Sequence, residues 1–370
     1  MSRAGVPPGN AGARRPREVT LADVARAAGV SDQTVSRVVN DHPHVSAQTR
    51  TRVRDAIGRL GYRPNFAARR LATNRSRSVG IVSLITGLWG PAGVRQSLEL
   101  RVAEAGYQTL TRSLPAITPA LLAASFDDLL SSGVDGIVVV AADDPTAEVV
   151  LAQRPGVPVV VVAGAMPLGR PGLGLDQVLA SRRATEHLLD LGHVVVGHVS
   201  GPLEATQARQ RRDGWAGALD ARGLGPGPVE AGDWTAASGF HAGRRLLADP
   251  ATTAVVVAND QMAVGVLRAA GERGRRVPED LSVVGFDDVP EAAYLVPPLT
   301  TVRHDFDEVG RRVVAALRSE VEGSPMARLP AMAPEVVVRR STAPPPPSAG
   351  GLVHRHVVAV GACAEPVPDR

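Results

Sequence analysis

Two kinds of apolar spacing divide this chain near Val79. Before that point apolar residues recur every three or four positions in three short runs. In "TLADVARAAG", Leu21, Val24, Ala25 and Ala28 line one side of a helix that Thr20 caps and Gly29 ends. In "VSDQTVSRVVN", Ser31 caps a second helix whose Val35, Val38 and Val39 point inward, leaving Gln33, Thr34, Ser36 and Arg37 outside. A third, "SAQTRTRVRDAIGRLGY", begins at Ser46, buries Val53, Ile57 and Leu60, and stops at Gly61. Three small helices with a tight Gly29-Val30 turn between the first two fit a helix-turn-helix, whose second helix offers its opening residues to base edges. Spacing alone leaves open a helical hairpin that touches no DNA.

After Val79 short apolar runs alternate with amphipathic stretches. "VGIVSLI", "YQTLTR", "DGIVVVA", "VPVVVVAG", "VVVGHVS", "AVVVA" and "LSVVGFDD" read as strands, several of them apolar throughout and so buried on both faces. "DQVLASRRATEHLLDLG" and "DQMAVGVLRAAGERG" read as helices between them. The fold class predicted is α/β: doubly wound parallel sheets in two lobes, preceded by an all-α headpiece. Ligands of such sheets bind beyond the carboxyl ends of the strands. Asn259 and Asp260, Asp287 and Asp288, and Arg211 fall there, with Trp234 on a Gly-containing loop nearby. Helix capping is an equal explanation for Asn259 and for one of the aspartates, and Trp234 serves equally as a core plug.

Charge separates the two regions further. The chain carries 41 basic and 37 acidic residues, but residues 1–77 hold 15 arginines against five acids, a net +10, whereas the rest is −6. A basic domain on a mildly acidic body is the electrostatic footprint of a nucleic-acid binder. No apolar run reaches the roughly 18 residues of a membrane span, and the start, "MSRAGVPPGNAGARRPRE", reads as a flexible basic arm rather than a secretory signal. The single cysteine, Cys363, can form no internal disulfide, and a reducing cytoplasm is the expected location. No G-x-G-x-x-G follows the first strand, no G-x-S-x-G elbow occurs, and no His/Cys cluster has metal spacing. Neither enzyme activity nor any cofactor or metal is expected.

"TLADVARAAGVSDQTVSRVVN", "VSAQTR", "LGYRPNFAARRLA", "TEHLLDLGH", "GDWTAASGF", "VANDQMAVG", "SVVGFDD" and "PPLTTVRHDF", taken in order, resemble the lactose repressor family of bacterial transcription regulators, from about Thr20 to Arg340. The resemblance implies a disordered arm (1–19), a headpiece (20–64), a hinge helix (65–78), and a core of the periplasmic-binding-protein type (79–340). Lobe 1 of that core would span about 79–175 and 306–333, and lobe 2 about 176–305 and 334–340. A disordered Pro/Gly/Ala-rich tail (341–370) would follow. Gln33 and Arg37 would meet base edges, as Gln suits adenine and Arg guanine. Thr20, Ser31, Thr34, His44, Ser46, Thr49 and Asn65 would hold the DNA backbone. Asp32 replaces the tyrosine of the pattern, and an acid there favours a cytosine amino group. Asn65, Ala68 and Leu71 fall on the hinge, with Leu71 as a minor-groove wedge.

In the core the resemblance places Arg211, Asn259 and Asp287 around sugar hydroxyls, Trp234 and Phe306 as stacking surfaces, and Pro91 and Val94 on the other lobe. It also departs. Ala163 stands for an aspartate, Val140 for an asparagine and Trp89 for a histidine, so the sugar has fewer hydroxyls facing lobe 1, or is a larger glycoside stacked on Trp89. The tail lacks the leucine heptads of a tetramerising coiled coil. The expectation is therefore a homodimer on double-stranded operator DNA, a repressor released by a galactoside or related glycoside. A sugar-binding protein without a DNA role, and a regulator that needs a non-galactoside co-repressor, are the alternatives.

Overall fold

The computed structural model describes residues 19–39, 43–62, 75–140, 149–150, 155–163, 172–324, 329 and 332–347. The expected arm, the hinge positions Asn65, Ala68 and Leu71, and the far tail with Cys363 lie outside the described residues. The chain divides into two compact units, 1–76 and 77–370.

The first unit contains α1 (Leu21–Ala28), α2 (Asp32–Val39) and α3 (Ala47–Leu60). Thr20 opens α1 with a reciprocal cap: the Asp23 N–H donates to Thr20 Oγ1 at 3.3 Å, and the Thr20 N–H donates to the Asp23 carboxylate at 2.9 Å. Gly29 ends the helix at φ 62°, a conformation that glycine adopts without a Cβ clash. Ser31 accepts from the Thr34 N–H at 3.2 Å and starts α2 as expected. Val24, Val35, Val53 and Ala56 are fully buried and form this unit's own core. Val39 and Ile57 are only half-buried, and Leu60, expected inside, is 37% exposed. The reason is length: α3 has 14 residues against eight in each partner, so its last turn runs past what they can cover. Thr20→Ala removes the cap from a small domain and should lower its stability by about 1 kcal/mol, read as faster amide exchange in α1.

The second unit holds two sheets. The first comprises β1 (Ser78–Leu84), β2 (Gln108–Leu114), β3 (Gly136–Val140), β4 (Val159–Ala163) and β5 (Gly172–Gly174), all parallel in the order β2-β1-β3-β4-β5. Helices α4 (Trp89–Glu104) and α5 (Pro119–Ser131) accompany it. The second comprises β6 (Val196–Ser200), β7 (Val229–Ala231), β8 (Ala254–Val257), β9 (Ser282–Phe286), β10 (Thr300–Arg303) and β11 (Glu335–Val337), in the order β11-β10-β9-β8-β6-β7. Only β11 runs antiparallel. Its helices are α6 (Gln177–Asp190), α7 (Thr206–Asp220), α8 (Ala236–Leu246) and α9 (Asp260–Glu272).

The last long helix, α10 (Phe306–Val321), returns to the first lobe, where Val309, Val313 and Leu317 pack with Val94, Leu98 and Val102 of α4. Apolar runs such as "GIVVV" in β3 and "AVVV" in β8 are buried throughout, which is what two covered faces require. The expected tail boundary is corrected at its near end. Ser341 is fully buried, its Oγ donating to the Val283 carbonyl at 2.6 Å and accepting from the Thr300 N–H at 2.8 Å. The Ala343 N–H donates to Ser282 Oγ at 3.0 Å, so the chain stays seated on lobe 2 through Ala343. A serine among prolines reads as a linker until its hydroxyl is seen to pair with the backbone of two inner strands, β9 and β10.

Candidate functional site

In each lobe the strand order reverses beside the first strand, at β1 and at β6, and the strands' carboxyl ends face one shared cleft. Its empty volume is about 960 Å³, open mouth included. Lobe 1 lines it with hydrocarbon: Leu84 at the end of β1 and Leu88 after it, Pro91 and Val94 on α4, Val140 from β3, and Ala163 from β4. Two of the three departures from the resemblance, Val140 and Ala163, thus stand in the cleft wall itself. Lobe 2 brings Gln207 and Arg211 from α7, Trp234, Asn259, Asp287 and His304, and Phe306 opens α10.

Arg211 organises the polar side. It is buried, with its Nε donating to Gln177 Oε1 at 2.8 Å and its Nη1 to the Ala258 carbonyl. Its Nη2 lies 3.6 Å from Asp287 Oδ1, and the guanidinium stacks 3.6 Å above the Phe286 ring. Burial lowers the arginine's pKa, and burial pushes that of Asp287 up to about 6 against the opposing pull of Arg211. Asp287 sits at φ 104°, a region costly for a residue with a Cβ, and its N–H donates to the Val302 carbonyl at 2.8 Å. That backbone turn brings its carboxylate to Arg211.

Asn259 caps α9 by accepting from the Met262 N–H at 2.9 Å, while its Nδ2 donates to the Trp234 carbonyl at 3.0 Å. Capping and cleft lining are therefore one role: the amide fixes the loop that carries Trp234. That tryptophan, at φ 75°, packs on the lobe 2 core and also faces the cleft. Gly201 makes room for it, since a Cβ there would lie 2.4 Å from the ring. A Cβ at Gly93 would likewise lie 2.6 Å from the Phe306 ring.

Asp260 is fully buried but not in the cleft lining. It accepts from Thr301 Oγ1 at 2.7 Å and from the Val289 N–H at 2.9 Å, and burial pushes its pKa up to about 7. The folded state then holds this proton more tightly than the unfolded chain, so its ionisation costs stability as pH rises from near 4 to about 7. Asp260→Asn removes that contribution. Urea unfolding at several pH values should show the variant gaining on the parent across this window.

Of the expected cleft residues, Pro91, Val94, Arg211, Trp234, Asn259, Asp287 and Phe306 come together, and Trp89 does not. Trp89 is instead half-buried against the apolar cluster of lobe 2 that includes Val289 and Ala292. An indole carries more hydrophobic surface than the histidine of the pattern and is drawn to that cluster. Gln177, Gln207 and His304 also line the cleft and are not among the residues expected there. His304 directly follows a strand and carried the same positional signal as Asn259 and Asp287, but "TTVR" is too polar to announce that strand.

On the headpiece, Ser31, Asp32, Gln33 and Arg37 are exposed at the start and along the outer side of α2. His44 and Ser46 are exposed near the start of α3, where Ser46 Oγ accepts from the Thr49 N–H at 3.3 Å. Thr20 is exposed, while Thr34 and Thr49 are half-buried. The polar side chains Asp32, Gln33 and Arg37 on α2 are therefore open to solvent rather than spent on the headpiece core.

A helix-turn-helix unit with a two-lobed cleft of the periplasmic-binding-protein kind defines a class of ligand-responsive DNA-binding regulators. Residues 20–65 match the family described as bacterial regulatory proteins, lacI family, and residues 185–342 match the periplasmic binding protein-like domain. The lactose operon repressor of Escherichia coli is 35% identical, with 88% of this chain and 91% of that protein covered. The regulator MalR of Streptomyces coelicolor is 36% identical over 87% of this chain and 96% of its own length. The chain belongs to the LacI family of transcriptional regulators. Among solved structures, the lac repressor dimer bound to operator and the anti-inducer ONPF superposes with a TM-score of 0.77 at 34% identity, covering 88% of this chain and all of that one. The complex of the regulator CelR with cellobiose gives 0.62 at 32%, with 88% and 100% covered. No helix among the described residues is long and apolar enough to cross a membrane.

Proposed function

We propose that the protein is a dimeric repressor that leaves a pseudo-palindromic operator when a neutral glycoside enters the cleft. The observation that carries the ligand class is the two-sided cleft: Arg211, Asp287 and Asn259 face an apolar wall of Leu84, Val94, Val140 and Ala163, with Trp234 and Phe306 alongside. The Arg211–Asp287 pair is neutral overall, which suits hydroxyls rather than an ionised ligand. The hydrocarbon wall suits an apolar sugar face or aglycone. Relatives named for lactose and ribose operons, and the cellobiose complex of CelR, support carbohydrate as the class.

On the DNA side, Gln33 and Arg37 read bases, Thr20, Ser31, Thr34, His44, Ser46 and Thr49 set register on phosphates, and Asp32 turns one position toward cytosine. Asn65, Ala68 and Leu71 act as a hinge between the headpiece and the core. Sugar binding shifts the lobes and spoils the spacing of two headpieces, a coupling typically of about 1 to 3 kcal/mol that must be reciprocal. Selection of duplexes from a random pool, with lactose, maltose, cellobiose, ribose or no sugar, tests this. The expected result is a palindromic site with half-sites about one helical turn apart, retained without sugar and released by one of the panel. Equal retention of all duplexes overturns the proposal.

A further inference from the structure

One polar side chain of the cleft has no role in the mechanism above. His304 follows β10, lies near the rings of Phe286 and Phe306 at centroid distances of 5.6 and 6.5 Å, and lines the cleft while only 5% exposed. Neither of its ring nitrogens has a hydrogen-bond partner among the described residues. Its polar neighbours differ in this respect. Arg211 is engaged by Gln177 and the Ala258 carbonyl, Asp287 by Arg211, and Asn259 by the Met262 N–H and the Trp234 carbonyl.

A buried donor or acceptor left unmatched is expensive, and native structures seldom tolerate one without a reason. Two on one ring, in the wall of a cavity, point to a partner that arrives with the ligand. The ring's charge state narrows that partner. Burial, assisted by the nearby Arg211 cation, holds its pKa down to about 3, so the imidazole offers one N–H donor and one bare nitrogen. A hydroxyl complements either atom, because it can both donate and accept. A carboxylate or phosphate would match only one of them and would gain no charge from the ring.

We infer that His304 is a ligand-contacting residue of this cleft, its uncharged imidazole exchanging a hydrogen bond with a hydroxyl of the bound sugar. The inference rests on the reading of the cleft as a sugar site. It gives lobe 2 a hydroxyl-reading group beside two aromatic rings, opposite a lobe 1 wall of hydrocarbon.

Calorimetric titration of lactose, maltose, cellobiose, ribose and o-nitrophenyl galactoside into the parent, H304F and H304Q proteins tests it. For whichever sugar the parent binds, H304F should bind about tenfold more weakly, the loss of one or two hydrogen bonds. H304Q, which keeps a donor and an acceptor, should stay within about threefold. Without sugar, H304F should melt no lower than the parent, because it removes two unmatched atoms, whereas a merely structural histidine would lower the melting temperature when replaced. With 15N-labelled histidine, the ring signals of His304 in the parent should move at saturating sugar. This readout decides the matter even where a variant does not fold. Unchanged affinity of H304F, or an unmoved His304 signal at saturation, overturns the inference alone. Absence of binding by every sugar to the parent overturns the sugar reading and the inference with it.

Discussion

Arg211→Ala is expected to abolish release by sugar while leaving operator binding in the absence of sugar intact. The guanidinium satisfies Gln177, the Ala258 carbonyl and Asp287 at once and covers the Phe286 ring. Removing it strips the cleft of its only described cation and leaves the Asp287 carboxyl buried without one. Breaking a buried pair in this way typically costs about 3–5 kcal/mol. The carboxyl, already raised by burial and opposed only by Arg211, would rise further and be held neutral. Loss of charge-assisted bonds to sugar hydroxyls, each worth about 1.5–3 kcal/mol, should weaken sugar binding a hundredfold or more. Arg211→Lys restores the charge but not the planar fork, and should recover only part of that loss. Calorimetry together with operator binding at increasing sugar checks both halves, and a normal release curve for Arg211→Ala would refute the assignment.

The opposite separation is expected from Val53→Asp. Val53 is fully buried at the centre of the headpiece core, together with Val24, Val35 and Ala56. A domain this small has little stability to spend, and an unpaired carboxylate in its centre costs several kcal/mol. The three helices should lose their packing and with it all sequence preference for DNA. Among the described residues, the apolar clusters of the two lobes contain none from the headpiece, so sugar binding should be retained. Loss of the headpiece amide signals with unchanged sugar affinity is the expected pair of results. A shift in sugar affinity as large as the loss in DNA binding would contradict it.

How far these features could be read from the sequence depended on how local their causes are. The caps Thr20, Ser31 and Ser46 and the stops at Gly29 and Gly61 act within three or four residues, and all five lie where the pattern put them. Long apolar strands such as β3 and β8 announce themselves because both faces are covered. The three-residue strands β5, β7 and β11, and the polar β10, do not, since their pairing is decided by neighbours distant in the chain. Asn259 and Asp287 were legible as residues just past strand ends, and Arg211 as a cation further along, on the helix that follows β6. His304 shared that logic but was hidden behind an unrecognised strand. Trp89 went elsewhere because a neighbouring apolar surface competed for it, a contest that spacing along one chain does not display.

The seating of Ser341 to Ala343 along β9 has a practical corollary. Cutting the polypeptide at Arg340 would strand the amides of Val283 and Thr300 and leave the hydroxyl of Ser282 with only the His193 ring. Tags, fusion partners and protease sites at this end therefore belong past Pro347, where they leave that seam stitched.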